Sequence, residues 1–194
     1  MDDPQSLLYL TGRYLEWLRV QHFSERTLIM RGAMLGYFRT FCEALGITQA
    51  RAVTRAVILN YQSYLYHRRR VRRLEGGQSE EVPLAVGTQA QRLVAVQMFF
   101  RWLTHEGLIL YNPASDLVLP RKESRLPRTI LSASEVEKLL TVPDVSTPMG
   151  LRDRAILEVF YSTGMRRAEI CDLDLVRVDF EHGVVQVVQG KGGK

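Results

Sequence analysis

The sequence predicts a mainly α-helical protein: a four-helix domain at 1–119, a linker at 120–128 and the first part of an α+β domain at 129–194. Four stretches in the first part place apolar residues at the spacing of a helix face. A basic stretch interrupted by two prolines then separates the two parts, and near the C-terminal end a valine-rich segment is typical of a strand. A chain of 194 residues is long enough for two small domains.

The four helices of the first domain are bounded by residues that commonly begin and end helices. Their expected limits are 7–20, 24–46, 54–67 and about 88–107. Ser24 is a candidate N-cap of the second helix, and Gly46 is suited to the turn that follows it. The stretch 68–79 holds five arginines and two glycines, and we expect a charged loop there.

The second domain opens with a helix-start motif. Ser132 and Glu135 have the spacing of a capping box, and the helix that they begin is expected to end at Leu140. A second helix is expected at 151–163, closed by Gly164, and a third at 165–173. A turn at His182 then leads into the strand-like segment 184–188.

The positive charge of the chain is mostly arginine. Of 26 basic residues, 22 are arginines, and the isoelectric point is near 9.4. Guanidinium groups bind phosphate through two parallel hydrogen bonds, so this composition favours a polyanionic partner. A GC-rich genome is an alternative cause of the arginine excess. Residues 1–120 hold 14 basic and 10 acidic residues, so we expect the first domain to bind the partner.

The composition argues against several other classes of protein. Cys42 and Cys171 lie in apolar helical patterns, and we expect two buried free thiols, which fits a cytoplasmic protein. The four histidines are scattered without the spacing of metal ligands, so neither a metal site nor a cofactor is predicted. No apolar run is long enough to span a membrane, and no membrane partner is expected.

Arg166 and Glu169 form the most informative pair. They stand three residues apart at the expected start of a helix, so the carboxylate can orient the guanidinium. The free N–H groups and the positive dipole of a helix start also attract phosphate. An ordinary surface salt bridge would show the same spacing.

The segments around this pair resemble a known family. The segment 163–170, Thr-Gly-Met-Arg-Arg-Ala-Glu-Ile, resembles the first catalytic box of the tyrosine recombinase (phage integrase) family, particularly its Xer-type branch. Lys191, in a Gly-Lys-Gly sequence after the valine segment, falls about where that family has a hairpin lysine. The segments 88–103 and 112–114 are similar to its SAM-like core-binding domain.

The resemblance implies a DNA-cutting and rejoining enzyme that uses no metal or nucleotide cofactor. In this family a tyrosine attacks a DNA phosphate and forms a 3′-phosphotyrosyl intermediate. Arg166 would then hold a non-bridging oxygen of that phosphate, supported by Glu169, and Lys191 would protonate the leaving 5′-oxygen. The second and fourth helices would lie against double-stranded DNA. The expected contact residues are Arg26, Thr27, Arg31, Gln89 and Arg92.

The family's His-x-x-Arg box and tyrosine nucleophile do not occur after Lys191 in these 194 residues. We therefore expect this polypeptide alone not to cleave DNA, whereas a full-length protein would do so and would assemble as a tetramer on its site. The alternative is a naturally shortened, non-catalytic DNA-binding protein that occupies recombination sites.

Overall fold

A computed structural model describes residues 3–73, 76–121 and 130–187 of the chain. The chain divides into two compact units, 1–124 and 125–194. Most of the predicted linker at 120–128 lies outside the described residues.

The first unit contains the four predicted helices. They are α1 (Leu7–Val20), α2 (Glu25–Ala44), α3 (Arg55–His67) and α4 (Val86–His105). The predicted cap of α2 is present, because the Ser24 hydroxyl accepts a hydrogen bond from the Thr27 N–H at 3.3 Å. Helix α4 begins two residues before its predicted start.

Aromatic side chains from all four helices fill the core of the first unit. The Phe38 ring of α2 contacts Tyr61 of α3 edge to face, with ring centroids 5.0 Å apart, and Phe100 of α4 at 5.9 Å. Tyr14 of α1 lies 5.6 Å from Phe99. Rings packed in this way contribute about 0.5–1.5 kcal/mol per pair beyond their buried area. This core fixes α2 and α4 relative to each other.

The charged loop expected at 68–79 is instead part of a β-hairpin, and that prediction was wrong. Strand β1 (Arg69–Arg73) pairs antiparallel with β2 (Ser79–Pro83), and Val71 lies opposite Glu81. We call these two strands the β-ribbon. Only one apolar residue interrupts the arginines of β1, so the sequence lacks the apolar–polar alternation by which strands are recognised.

The second unit contains α5 (Ala133–Thr141), α6 (Pro148–Thr163), α7 (Arg167–Cys171) and a short hairpin of β3 (Val178–Asp179) and β4 (Val184–Val185). The predicted capping box is confirmed: the Ser132 N–H donates to the Glu135 carboxylate at 2.8 Å. Gly164 ends α6 with a left-handed φ of 64°. Helix α6 begins earlier than predicted, because the Thr147 hydroxyl accepts from the Gly150 N–H.

The described residues contain neither a helix suited to cross a membrane nor a cluster of metal ligands. Among the helices at 3–73, 76–121 and 130–187, none is long and apolar enough to cross a membrane. Within the same ranges, no cluster of three or more His, Cys, Asp or Glu side chains is arranged to hold a metal ion.

The two cysteines lie in different environments. Cys42 is a free thiol buried in the core, as predicted, and burial raises its pKa to about 12. Cys171 is exposed at the end of α7, so the prediction that it is buried was wrong. A neutral, inaccessible thiol reacts slowly with electrophiles, because the thiolate is the reacting form.

We therefore expect a disulfide reagent at about pH 8 to modify one thiol rapidly in the native chain and both thiols in denaturant. Intact-mass measurement over time checks this result. Cys171→Ser should remove the rapid reaction. Equal rates for the two thiols in the native chain would contradict the burial of Cys42.

Candidate functional site

A concave surface lies between α2 and α4 in the first unit. Its volume is about 520 Å³. It is lined from α2 by Arg26, Thr27, Met30, Arg31 and Met34, and from α4 by Gly87, Ala90, Gln91, Val94 and Ala95. We call this surface the α2–α4 cleft.

Three of the predicted contact residues line the α2–α4 cleft. Arg26, Thr27 and Arg31 lie on the N-terminal half of α2 and all line the cleft. Thr27 and Arg31 are four residues apart and therefore lie on one side of the helix. The Thr27 hydroxyl lies 2.9 Å from the Ser24 hydroxyl. The cleft thus combines two guanidinium groups and a hydroxyl, which are groups that bind phosphate oxygens.

Gln89 has a structural role and is no longer a candidate contact. Its side chain is buried, with 6% exposed, and its Nε2 donates to the Leu84 carbonyl at 2.7 Å. The amide therefore stabilises the entry to α4, whose N-cap residue, Ala85, makes no side-chain cap hydrogen bond. Gln91, which the sequence reasoning missed, is exposed and lines the cleft. Residues two positions apart point to different sides of a helix, so Gln89 and Gln91 cannot both face the cleft. The sequence therefore offered Gln91 as the alternative to Gln89.

Arg92 lies in the interior between α2 and α4. Only 8% of it is exposed, and its guanidinium carbon lies 3.7 Å from the centroid of the Tyr37 ring. Its buried Nε has no hydrogen-bond partner among the described residues. Burying a guanidinium without a full set of acceptors opposes folding, and the contact with the Tyr37 ring offsets part of that cost.

In the second unit, Arg166 and Glu169 form the predicted pair. Arg166 Nη1 donates to Glu169 Oε1 at 2.7 Å, and the Arg166 N–H donates to Oε2 at 2.7 Å. The arginine side chain is 66% exposed and the glutamate side chain 12% exposed. The carboxylate thus holds both the backbone and the guanidinium of Arg166 and leaves most of the arginine side chain exposed to solvent.

The hydrogen bonds to Glu169 also determine its charge. The bond from the Arg166 backbone N–H, and then the bond from its side chain, lower the pKa of the Glu169 carboxyl below its ordinary value of 4.5. A lowered folded-state pKa means that the pair is fully formed above the ordinary carboxyl pKa. It is lost only as the pH falls below about 4.5, through the lowered value.

The predicted helix start at Arg166 needs correction. Helix α7 spans five residues, Arg167–Cys171, rather than 165–173, and Arg166 precedes it as the N-cap residue. The Arg166 N–H is already bound to Glu169, so the predicted attraction of phosphate by free N–H groups and a long helix dipole has little basis. What this site offers an anion is the guanidinium itself. Lys191 lies outside the described residues.

Comparison with known proteins agrees with these features. The profile of the Phage integrase family matches residues 129–194. Tyrosine recombinase XerC 2 of Ralstonia nicotianae is 43% identical over 196 residues, covering 99% of this chain and 54% of that protein. Tyrosine recombinase XerD of Listeria monocytogenes is 30% identical over 183 residues, covering 93% of this chain and 56% of that protein.

Solved structures show the same fold. The structural match to a lambda integrase tetramer bound to a Holliday junction covers 97% of this chain and 48% of the integrase chain, with a TM-score of 0.69 and 20% identity. A lambda integrase dimer bound to a COC′ core site has a TM-score of 0.68 at the same identity.

This chain spans about half the length of the curated relatives that it matches from end to end. Within that half, the similarity covers both units, and the Arg166–Glu169 pair lies in the part that the family profile matches. The chain belongs to the tyrosine recombinase, or phage integrase, family.

Proposed function

We propose that this chain binds duplex DNA as part of a site-specific recombinase that cuts and rejoins DNA through a 3′-phosphotyrosyl intermediate. The observation that carries the proposal is the exposed Arg166 guanidinium, which the largely buried Glu169 carboxylate holds in place at 2.7 Å. A guanidinium fixed in this way and open on its outer side is suited to bind a phosphate oxygen.

The proposed chemistry assigns a separate task to each group. Arg166 binds a non-bridging oxygen of the scissile phosphate and stabilises the charge that develops during attack by a tyrosine. Glu169 positions Arg166 and does not touch the DNA. Lys191 donates a proton to the departing 5′-oxygen, because an alkoxide is a poor leaving group.

The α2–α4 cleft is the proposed duplex-binding surface. Arg26 and Arg31 contact backbone phosphates there, and the Thr27 hydroxyl donates to a third phosphate oxygen. Contacts of this kind position a protein on DNA and make its affinity fall with rising salt. Lambda integrase was solved as a tetramer on a Holliday junction, and we extend the proposal to assembly of several copies of this protein on DNA.

We expect the double variant Arg26→Ala/Arg31→Ala to bind duplex DNA more weakly than the wild-type chain, with a salt dependence that is less steep by about 2 units of slope. Each lost phosphate contact removes about 0.9 from that slope. Fluorescence anisotropy of a labelled duplex, titrated from about 50 to about 200 mM salt, measures both quantities.

The matched control for charge is Arg51→Ala/Arg55→Ala, which removes two exposed arginines outside the α2–α4 cleft. Its slope should stay close to that of the wild-type chain. Equal effects of the two double variants would show that the cleft is not the binding surface, and a wild-type chain that binds no duplex would overturn the proposed function.

A further inference from the structure

The β-ribbon contributes almost nothing to the core. All five residues of β1 are exposed, and of β2 only Val82 is half-buried. An isolated two-stranded hairpin is marginally stable in water, because it buries little apolar surface. Its presence therefore calls for an explanation other than packing.

The β-ribbon carries more positive charge than its own acidic residues neutralise. Arg72 Nη2 contacts Glu80 Oε2 of the facing strand at 2.8 Å. Within the described part of the chain, Arg69, Arg70 and Arg73 form no ion pair. Glu81, the other acidic residue of the described strands, lies opposite Val71 and forms no ion pair with these arginines among the described residues. Like charges so close together repel one another unless an anion lies between them.

The base of the β-ribbon is attached to the helical core. The Leu84 N–H donates to the Arg68 carbonyl at 3.1 Å, which continues the ladder beyond the strands, and the Leu84 side chain is buried. The Arg68 guanidinium lies over the Tyr64 ring of α3, 5.4 Å from its centroid, and donates to the Tyr64 hydroxyl. The exposed arginines therefore project from a fixed base.

This base lies next to the α2–α4 cleft. Only Leu84 and Ala85 separate the end of β2 from the start of α4, and Gly87 in the first turn of α4 lines the cleft. Four residue steps, from Pro83 to Gly87, span at most about 14 Å. The unpaired arginines of the β-ribbon thus extend the basic surface that begins with Arg26 and Arg31.

The dimensions of the β-ribbon suit duplex DNA. Five residues per strand give a length of about 13–16 Å, and two paired strands lie about 5 Å apart. The major groove of B-form DNA is about 12 Å wide and admits a two-stranded ribbon. Exposed guanidinium groups on both faces of such a ribbon can reach the phosphates on either side of the groove.

We propose that the β-ribbon is a second duplex-DNA contact, in which Arg69, Arg70 and Arg73 bind backbone phosphates beside the segment held by the α2–α4 cleft. This inference rests on the proposed duplex binding and adds a surface that the catalytic chemistry does not require. Phosphates of the DNA would supply anions for these exposed arginines, which form no ion pair among the described residues.

The test compares the triple variant Arg69→Ala/Arg70→Ala/Arg73→Ala with the wild-type chain on a duplex long enough to extend beyond the cleft contact at both ends. We expect the slope of affinity against salt to become less steep by about 2–3 units. Hydroxyl-radical footprinting should show protection lost at one flank of the footprint and retained in its centre.

The control variant Arg13→Ala/Arg51→Ala/Arg55→Ala removes the same charge from exposed positions outside the β-ribbon and the cleft, and its slope should stay near that of wild type. A second variant joins Arg68 to Leu84 through a short Gly-Ser turn, and circular dichroism checks that the helices persist. It should shorten the footprint as the triple variant does.

The outcomes separate this inference from the proposed function. A wild-type footprint that neither ribbon variant changes would overturn the β-ribbon contact and leave binding by the cleft intact. Equal slopes for the triple variant and its control would do the same. Absence of any wild-type footprint would overturn the proposed function itself, together with this inference.

Discussion

Arg166→Ala is expected to reduce formation of the covalent protein–DNA adduct by at least about 10²–10³-fold while leaving duplex affinity nearly unchanged. The assay requires a protein that carries this chain together with a His-x-x-Arg box and a tyrosine, reacted with a nicked suicide substrate. The adduct is counted after denaturing electrophoresis. The guanidinium acts on charge that develops in the transition state, so its loss affects the reaction far more than ground-state binding.

Arg167→Ala is the matched control for this variant. Arg167 is the next residue and is exposed, so its substitution removes the same charge at a neighbouring position. The Glu169 carboxylate, however, is hydrogen-bonded to the guanidinium of Arg166. We expect adduct formation close to wild type for Arg167→Ala. Equal losses for the two variants would show that general positive charge at this position, and not the oriented guanidinium of Arg166, supports the reaction.

Arg166→Lys and Glu169→Gln test separately how the shape of the guanidinium and the charge of the carboxylate contribute to adduct formation. Lysine keeps the charge but lacks the planar fork that binds a carboxylate and a phosphate oxygen at once, so most of the loss should remain. The glutamine side chain keeps an oxygen in the place of the carboxylate, and this oxygen can accept a hydrogen bond from the Arg166 N–H. The loss of adduct formation should therefore be smaller for Glu169→Gln than for Arg166→Ala. Wild-type activity of Glu169→Gln together with inactivity of Arg166→Ala would show that the carboxylate charge is dispensable.

The sequence was sufficient to locate each helix, although the starts of α4 and α6 and both ends of α7 differ from the prediction, because local chemistry decides where most helices begin and end. Ser24 and Ser132 each accept a hydrogen bond from a backbone N–H of the first turn, and Gly164 adopts the left-handed conformation that ends α6. The Arg166–Glu169 contact follows from a spacing of three residues on adjoining turns. These features depend on neighbours within a few positions.

The features that sequence reasoning missed depend on contacts between distant residues. The β-ribbon is held by pairing between its two strands and by the hydrogen bond from the Leu84 N–H to the Arg68 carbonyl. Arginine-rich strands lack the alternation of apolar and polar residues from which a strand is predicted. Gln89 and Arg92 were predicted to contact DNA because the resemblance implied that α4 lies against the duplex. Their burial follows from the packing of α2 against α4, which a single sequence does not reveal.

The burial of Arg92 leads to a prediction in which stability and binding change in opposite directions. Methionine resembles the aliphatic part of arginine in length and needs no hydrogen-bond partners. Arg92→Met should therefore keep or raise the melting temperature of the first unit, since it removes a buried Nε without a partner. Burial also raises the pKa of the Tyr61 hydroxyl, an effect that the charge of Arg92 opposes.

The same substitution should weaken duplex binding about tenfold or more, because a hydrogen bond to a charged group contributes about 1.5–3 kcal/mol. We infer that Arg92, of which 8% is exposed, reaches a phosphate beside the α2–α4 cleft, and that this contact is why a costly buried arginine is tolerated. Anisotropy titration measures the affinity, and thermal unfolding by circular dichroism measures the stability.

Arg101→Ala serves as the control for Arg92→Met, because Arg101 is exposed on the same helix and does not line the cleft. Its removal should change neither quantity by much. If Arg92→Met instead lowered the melting temperature and left the affinity unchanged, the contact with the Tyr37 ring would be the whole role of Arg92. A buried guanidinium that costs stability and improves binding is the pattern expected of a group retained for DNA, since interior packing alone would favour an apolar side chain.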